Sequence, residues 1–255
     1  MKKVILLNKK EGETPLEALE NFRLKKTKKY PEYKNIKMTY AGRLDPMASG
    51  LLLILAGEET KNKEKYLTLE KEYEFQVLFG FSTDTFDILG KVVSRELVEL
   101  NKRDLKKKIK ENLKNFLGEI IQKYPIYSSK TVKGRPLFVY ARRGEEVEIP
   151  ERKIFIKKLK LDKIIEINNK KLFKNIEKRI KKVKGDFRQK EILEIWRETL
   201  RVSNKGQKVF PIAKFDIKCS SGTYVRGIAN ALGNMVGMPA LAFSIKRTRI
   251  GKYVL

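Results

Sequence analysis

Asp45 stands between Leu44 and Pro46 in the stretch "YAGRLDPMASGLLLILAG", behind a glycine and an arginine and just ahead of the apolar run 51–55. A solvated loop seldom holds its charge between apolar neighbours, and a core strand seldom holds one at all. Pro46 biases Asp45 toward extended backbone, while Gly42 and Gly50 permit tight turns on either side. Such a loop fixes the direction of a side chain. Two readings fit this local pattern: a turn aspartate that accepts a neighbouring backbone N–H, or a carboxylate aimed at chemistry. The chain has 0 histidines and 1 cysteine, so Ser-His and Cys-His nucleophile schemes and most zinc sites are removed at once. No transition-metal site is expected. Catalysis, if present, runs on carboxylate, lysine, tyrosine or hydroxyl groups.

The elements that must position such a group are readable in outline. Residues 4–7 form a short apolar run that predicts a buried strand. "TPLE" at 14–17 carries a Thr N-cap, Pro at the first helical position and Glu three residues after the cap, which together predict a helix start. Tyr73, Phe75, Val77 and Phe79 alternate as one face of a strand. Asn101 is placed to cap a helix striped by Leu105, Ile109, Leu113 and Phe116. Ile154, Ile156, Leu159 and Leu161 predict another strand, broken in its alternation by Lys157–Lys158. Leu172, Ile176, Ile180, Val183 and Phe187, then Ile192, Trp196 and Leu200, step at helical spacing and predict two basic helices within 168–208. Phe215, Ile217 and Cys219 return to strand alternation, and a helix through Val225, Ile228, Leu232 and Val236 follows Gly222. Strands and helices mix without a regular βαβ beat, so the expected class is α+β.

Composition narrows the partners. With 255 residues, 41% of them hydrophobic, the chain can bury a core despite being 35% charged. The 58 Lys and Arg against 31 Asp and Glu give a net charge of +27, which favours a polyanion, nucleic acid first and an anionic membrane second. Lysine-rich codon usage accounts for such an excess too, so charge alone names no function. No early apolar run approaches a signal-peptide core or a membrane span of about 20 residues. A single cysteine, in phase with Phe215 and Ile217, reads as a buried strand residue in a reducing cytoplasm.

Five blocks then carry a resemblance. "AGRLDPMASGLLLILAGEETK" resembles the signature loop of the TruB family of RNA pseudouridine synthases. "LLNKKEGETPLEAL" is similar to that family's N-terminal motif, and "KEYEFQVLFGFSTDTFDILGKVV" to its Tyr-bearing strand and TDT turn. "FLGEIIQKYPIYSSKTVKGRPLFVYARRGEEVEIP" is similar to its Pro-x-Tyr-Ser and Ala-Arg-x-Gly segment, and "CSSGTYVRGIANALG" to its Gly-Thr-Tyr-x-Arg motif. The blocks occur in family order along nearly the whole chain. Arg43 before Leu44 is similar to the loop of the related RluA synthases, but the other four blocks favour TruB.

The resemblance implies a pseudouridine-synthase fold with a central, mainly antiparallel sheet flanked by helices. It implies that a uridine in RNA is isomerised to pseudouridine without metal or organic cofactor. It makes Asp45 the essential carboxylate, Arg226 its ion-pair partner and Tyr73 the platform under the target base. Tyr224 belongs to the Gly-Thr-Tyr motif, and Lys9, Lys130 and Arg142 fall on basic positions that contact RNA. Core packing is the alternative for both tyrosines, a weaker one for Tyr73; phosphate binding is the lesser alternative for Arg226, and plain solvation the alternative for each of Lys9, Lys130 and Arg142. Tyr40 stands where the family usually has a histidine that helps displace the flipped nucleotide; a tyrosine can stack but cannot titrate near neutral pH.

The expected substrate is the T-arm of tRNA, at the uridine usually numbered 55, bound by a cytoplasmic monomer with no guide RNA and no membrane. The chain is expected to be one catalytic domain over 1–255 without the C-terminal PUA domain common in bacterial members. The basic helical segment at about 168–208 is longer than the compact hairpin expected there, and is expected to supply RNA affinity in that domain's place. A synthase acting on another RNA, or a non-catalytic RNA-binding or chaperone protein, would share the charge. The chaperone alone would have no need to bring Asp45, Arg226 and Tyr73 into one cleft.

Overall fold

The structure, a computed structural model, describes residues 3–96, 101–201 and 208–255. Its strands in chain order are β1 (Val4–Lys9), β2 (Met38–Ala41), β3 (Ala48–Ala56), β4 (Lys71–Phe79), β5 (Phe81–Thr83), β6 (Val92–Arg95) and β7 (Gly118–Lys123). They continue with β8 (Thr131–Val132), β9 (Arg135–Pro136), β10 (Glu151–Asn168), β11 (Val209–Cys219), β12 (Ala240–Ile250) and β13 (Tyr253–Val254). The α-helices are α1 (Pro15–Thr27), α2 (Lys63–Leu67), α3 (Lys102–Leu113), α4 (Leu137–Arg143), α5 (Asn169–Ile180), α6 (Gln189–Thr199) and α7 (Val225–Val236).

Nine strands form one sheet in the order β1-β3-β12-β4-β11-β10-β7, with β2 added to β3 and β13 to β12. Every pairing in it is antiparallel except β3 with β12. The class is therefore α+β with a mainly antiparallel sheet, as the sequence predicts. Local chemistry sets the helix starts: Thr14 and Glu17 complete a capping box at α1, and Asn101 and Asn168 accept backbone N–H groups at the starts of α3 and α5. None of the described helices is long and apolar enough to cross a membrane.

Alternation in β4 turns Tyr73, Phe75, Val77 and Phe79 toward a core closed by Leu105 and Ile109 of α3 and by Val225, Ile228 and Leu232 of α7. The opposite face carries Leu78 beside Phe210 and Ile212, under Leu172, Ile176 and Ile180 of α5 and Ile192 and Trp196 of α6. Trp196 is fully buried, and its indole N–H donates to the Ile88 carbonyl at 3.2 Å. Both helices are thus core elements on one side, but only α5 presents a cationic outer surface; α6, with Lys190 and Arg197 against Glu191, Glu194 and Glu198, is not the basic helix expected. The first ends at Ile180, so Val183 and Phe187 fall in the connection, where Val183 is still buried. Residues 202–207 of the expected helical segment lie outside the described residues.

Both faces of β3 are covered. Leu52 and Ile54 pack against Ala18 and Leu19 of α1, while Leu51, Leu53 and Leu55 join Ile250 and Tyr253 on the other side. That is why the run 51–55 is continuously apolar and leads directly out of the Asp45 loop. Register shifts in β10 between Ile156 and Lys158, and between Leu161 and Lys163, absorb the break in alternation seen at Lys157–Lys158.

Candidate active site

The loop 42–47 joins β2 to β3 and carries Asp45. Two buried cations hold its backbone. Arg247 is 1% exposed, and its Nε donates to the Leu51 carbonyl at 2.7 Å while its terminal nitrogens donate to the carbonyls of Gly42 at 3.0 Å and Arg43 at 3.3 Å. On the other side Gly12 N–H donates to the Pro46 carbonyl at 2.8 Å. Gly50, with φ +99, sits opposite Arg247 in the β3–β12 register, and a β-carbon there would run into the Arg247 backbone. Glycine is required at that close approach.

Lys9 corrects an expectation. Sheet parity puts it on the side of Ile5 and Leu7, and it is fully buried. Its ammonium donates to the carbonyls of Lys10 at 2.9 Å, Pro46 at 3.4 Å and Glu13. It braces the catalytic loop from within and presents no charge at the surface. Burial lowers its pKa from 10.5 to about 8, against the pull of Glu13, Asp45 and Glu11.

Arg226, in the first turn of α7, spends all three guanidinium nitrogens at once. Nε donates to Asp45 Oδ2 at 2.8 Å, one terminal nitrogen to the Thr85 carbonyl at 2.6 Å and the other to the Tyr127 carbonyl at 2.8 Å. The arginine side chain is 2% exposed and the aspartate 37%. Asp45 is therefore anchored through one oxygen on the buried side, while Oδ1 accepts no hydrogen bond from the described residues. Burial works against the Arg226 charge, and the Asp45 and Asp87 carboxylates more than restore it, leaving the guanidinium above its usual pKa.

Asp87 is a second carboxylate of this site that sequence reasoning did not single out. It is 7% exposed, and its Oδ1 accepts from Thr85 Oγ1 at 2.8 Å and from Leu89 N–H at 2.9 Å. Burial raises its pKa from 3.8 to about 6, although Arg226 and these hydrogen bonds pull the other way. Between those two values the folded protein keeps a proton that the unfolded chain releases. The contribution of Asp87 to stability is thus complete below 3.8 and is lost as pH rises through about 6. Asp87→Asn is expected to flatten that part of the stability curve in urea unfolding at about pH 4 and about pH 7. An unchanged difference between the two pH values would contradict it.

Tyr73 completes the centre. It lies in β4 between Arg247 of β12 and Ile217 of β11 in register, and is 8% exposed. Burial pushes its hydroxyl up to about 12, and Asp45 is near enough to oppose its ionisation further. Tyr224 stands immediately before α7 with its ring 5.6 Å from the Arg226 guanidinium carbon. Buried Gln122 holds its backbone by two hydrogen bonds, to the N–H at 2.9 Å and from the side-chain amide to the carbonyl at 3.0 Å. The structure therefore brings Asp45, Arg226, Tyr73 and Tyr224 together.

The remaining predicted residues lie outside this cluster. Exposed Lys130 reaches the rim, 5.4 Å over the ring of Tyr124, which in turn meets the Tyr224 ring edge-on at 5.7 Å. Arg142, exposed near the end of α4, donates to the Asp186 carbonyl at 2.8 Å. Tyr40 is half-buried in β2 and packs with the cluster of Ala18, Leu19, Leu52 and Ile54, with the Lys63 ammonium 5.7 Å over its ring. Arg247 and Asp87 carried a faint signal. Arg247 keeps the inward parity of Ile245 beyond the register shift at Phe243, and Asp87 follows the TDT turn.

Comparison with known proteins gives the family. The family model described as TruB family pseudouridylate synthase (N terminal domain) matches residues 28–186. The chain belongs to the TruB family. It is 34% identical over 217 residues to the tRNA pseudouridine synthase B of Caldanaerobacter subterraneus subsp. tengcongensis, covering 85% of this chain and 60% of that protein. It is 33% identical over 251 residues to the tRNA pseudouridine synthase B of Blochmanniella floridana, covering 98% of this chain and 77% of that protein. A similar enzyme of Ligilactobacillus salivarius is 34% identical, and again this chain spans 60% of its length. Among solved structures, a Cbf5-Nop10-Gar1 complex matches with TM-score 0.55 at 19% identity, over 98% of this chain and 49% of the matched chain. An H/ACA RNP bound to a substrate RNA containing 2'-deoxyuridine matches with TM-score 0.53 at 18% identity, over 98% and 48%. These two likenesses speak for the fold alone.

Proposed function

We propose that this chain isomerises uridine to pseudouridine in the T-arm of tRNA, as a cytoplasmic monomer and without guide RNA. One observation carries the reading: buried Arg226 pins one oxygen of Asp45 at 2.8 Å and leaves the other without a hydrogen bond from the described residues, on a side chain 37% exposed. The names of the relatives support tRNA as the substrate. In the reaction the N1–C1′ bond breaks, the base turns and a C5–C1′ bond forms. The proton lost from C5 is matched by one gained at N1, so no oxidant or cofactor is required. Asp45 supplies the carboxylate that meets the sugar or the base, whether by attack or by taking a proton. The target nucleotide must leave its stack, at a cost of a few kcal/mol. An aromatic platform returns about 1–3 kcal/mol per base, so Tyr73 roughly offsets the extrusion. The test is incubation with an unmodified tRNA transcript followed by mapping of pseudouridine. Modification of the T-loop uridine is expected; modification elsewhere only would overturn the substrate, and none in any RNA would overturn the activity.

The outer surface of α5 is expected to bind RNA phosphates. Lys171, Lys174 and Lys178 of α5 are exposed, whereas Leu172 and Ile176 between them are buried. Deleting the segment would strip the second core, so charge reversal is the cleaner probe. Lys174→Glu with Lys178→Glu is expected to weaken tRNA binding and to lower the slope of log K against log salt by about 0.7–0.9 for each phosphate no longer neutralised. Unchanged affinity and slope would remove this surface from the interface.

A further inference from the structure

Arg188 sits in the helical insertion, immediately before α6, with φ +61. That left-handed conformation is disfavoured for a residue with a β-carbon and persists where surrounding contacts demand it. The contacts are specific. One guanidinium nitrogen donates to Asp84 Oδ2 at 2.8 Å, with both side chains 19% exposed, and the guanidinium carbon lies 4.4 Å from the centroid of the Tyr127 ring. The second oxygen of Asp84 accepts Lys91 N–H at 2.9 Å, which locks the carboxylate into the turn that begins at Thr83.

These two partners belong to the two segments that hold Arg226. The Tyr127 carbonyl accepts one terminal nitrogen of Arg226, and the carbonyl of Thr85, the residue after Asp84, accepts the other. Arg188 therefore fastens from outside the same turn and the same β7–β8 loop that grip the Asp45 partner from inside. Resting on the function proposed above, we infer that Arg188 is a positioning residue for the reaction. Through Asp84 and Tyr127 it sets the two carbonyls that aim Arg226 at Asp45, and so couples the inserted helices to the catalytic carboxylate. A direct phosphate contact is disfavoured, because the side chain is largely enclosed and its charge is already matched by Asp84.

Arg188→Gln removes the charge at similar size, and Arg188→Lys keeps the ion pair but loses the planar stack. With saturating tRNA transcript, Arg188→Gln is expected to lower the single-turnover rate about 10–100-fold, the scale of a small misplacement of a catalytic group. The Kd for tRNA should stay within about twofold, since backbone phosphate contacts dominate that affinity. Arg188→Lys should recover part of the rate. Adding Asp84→Asn to Arg188→Gln should cost little more, because the two act as one unit. An unchanged rate, a loss confined to Kd, or additive effects of the two substitutions would each overturn the inference. Where Arg188→Gln fails to fold, Arg188→Lys and Asp84→Asn decide the question by the same rate-against-Kd split. A readout independent of turnover is hydrogen exchange at the Arg226 Nε–H, expected to quicken about 10-fold in Arg188→Gln as the grip loosens. Quickened exchange with a wild type that makes no pseudouridine would sink the proposed function and leave the coupling standing; unchanged exchange would sink the coupling.

Discussion

Arg226→Met is expected to lower turnover by at least about 100-fold and to destabilise the fold by about 3 kcal/mol. Both effects come from one side chain. The carbonyls of Thr85 and Tyr127 would lose their donors in a buried site, and Asp87 would keep its carboxyl there without the guanidinium. Asp45, more than a third exposed, would keep its charge through water but lose its aim, which places the destabilisation at the lower end for a broken buried pair. Arg226→Lys separates the two roles. A lysine can meet Asp45 as a point charge, but it cannot hold the carboxylate and both carbonyls in one planar fork. Its stability should lie between those of the wild type and Arg226→Met, with turnover close to that of methionine. Urea unfolding and single-turnover rates check this; lysine restoring full turnover would mean that charge alone suffices.

Legibility in the sequence followed the physics of each residue. Two helix starts were plain, because Thr14, Glu17 and Asn101 act on neighbours a few residues away; the Asn168 cap of α5 came only with the structure. The strand through Tyr73 was plain because one of its faces alternates cleanly into the core. No alternation marked β3 as a strand, since both of its faces are covered, and β12 mixes small residues with three cations in its second half. Buried cations were the least visible part of the site. Lys9 and Arg247 read as surface charge until the folded chain supplies carbonyl oxygens from 42–51, Glu13 and Pro46. The pairing of Asp45 with Arg226 spans 181 positions. No local pattern contains it, and only the resemblance of whole motifs brought the two together. Arg188 lay outside every motif, although its partner Asp84 is the aspartate of the TDT turn.

Asp45→Asn carries the largest expected effect and the most direct test. Asparagine nearly matches aspartate in shape and can still accept the Arg226 Nε–H, and Asp87 continues to face the arginine charge, so the loop and its braces should persist. What is lost is the anionic oxygen that faces the nucleotide, which asparagine cannot supply to a reacting carbon or as a base. Removing a group that acts on the reacting atoms costs on the order of 10⁴-fold or more. The decisive measurement is single-turnover conversion of the T-loop uridine by wild type and Asp45→Asn, with tRNA binding measured on the same preparations. The prediction is pseudouridine from the wild type alone, with Kd equal within about twofold. Asp45→Asn forming pseudouridine at close to the wild-type rate would contradict the central role given to Asp45.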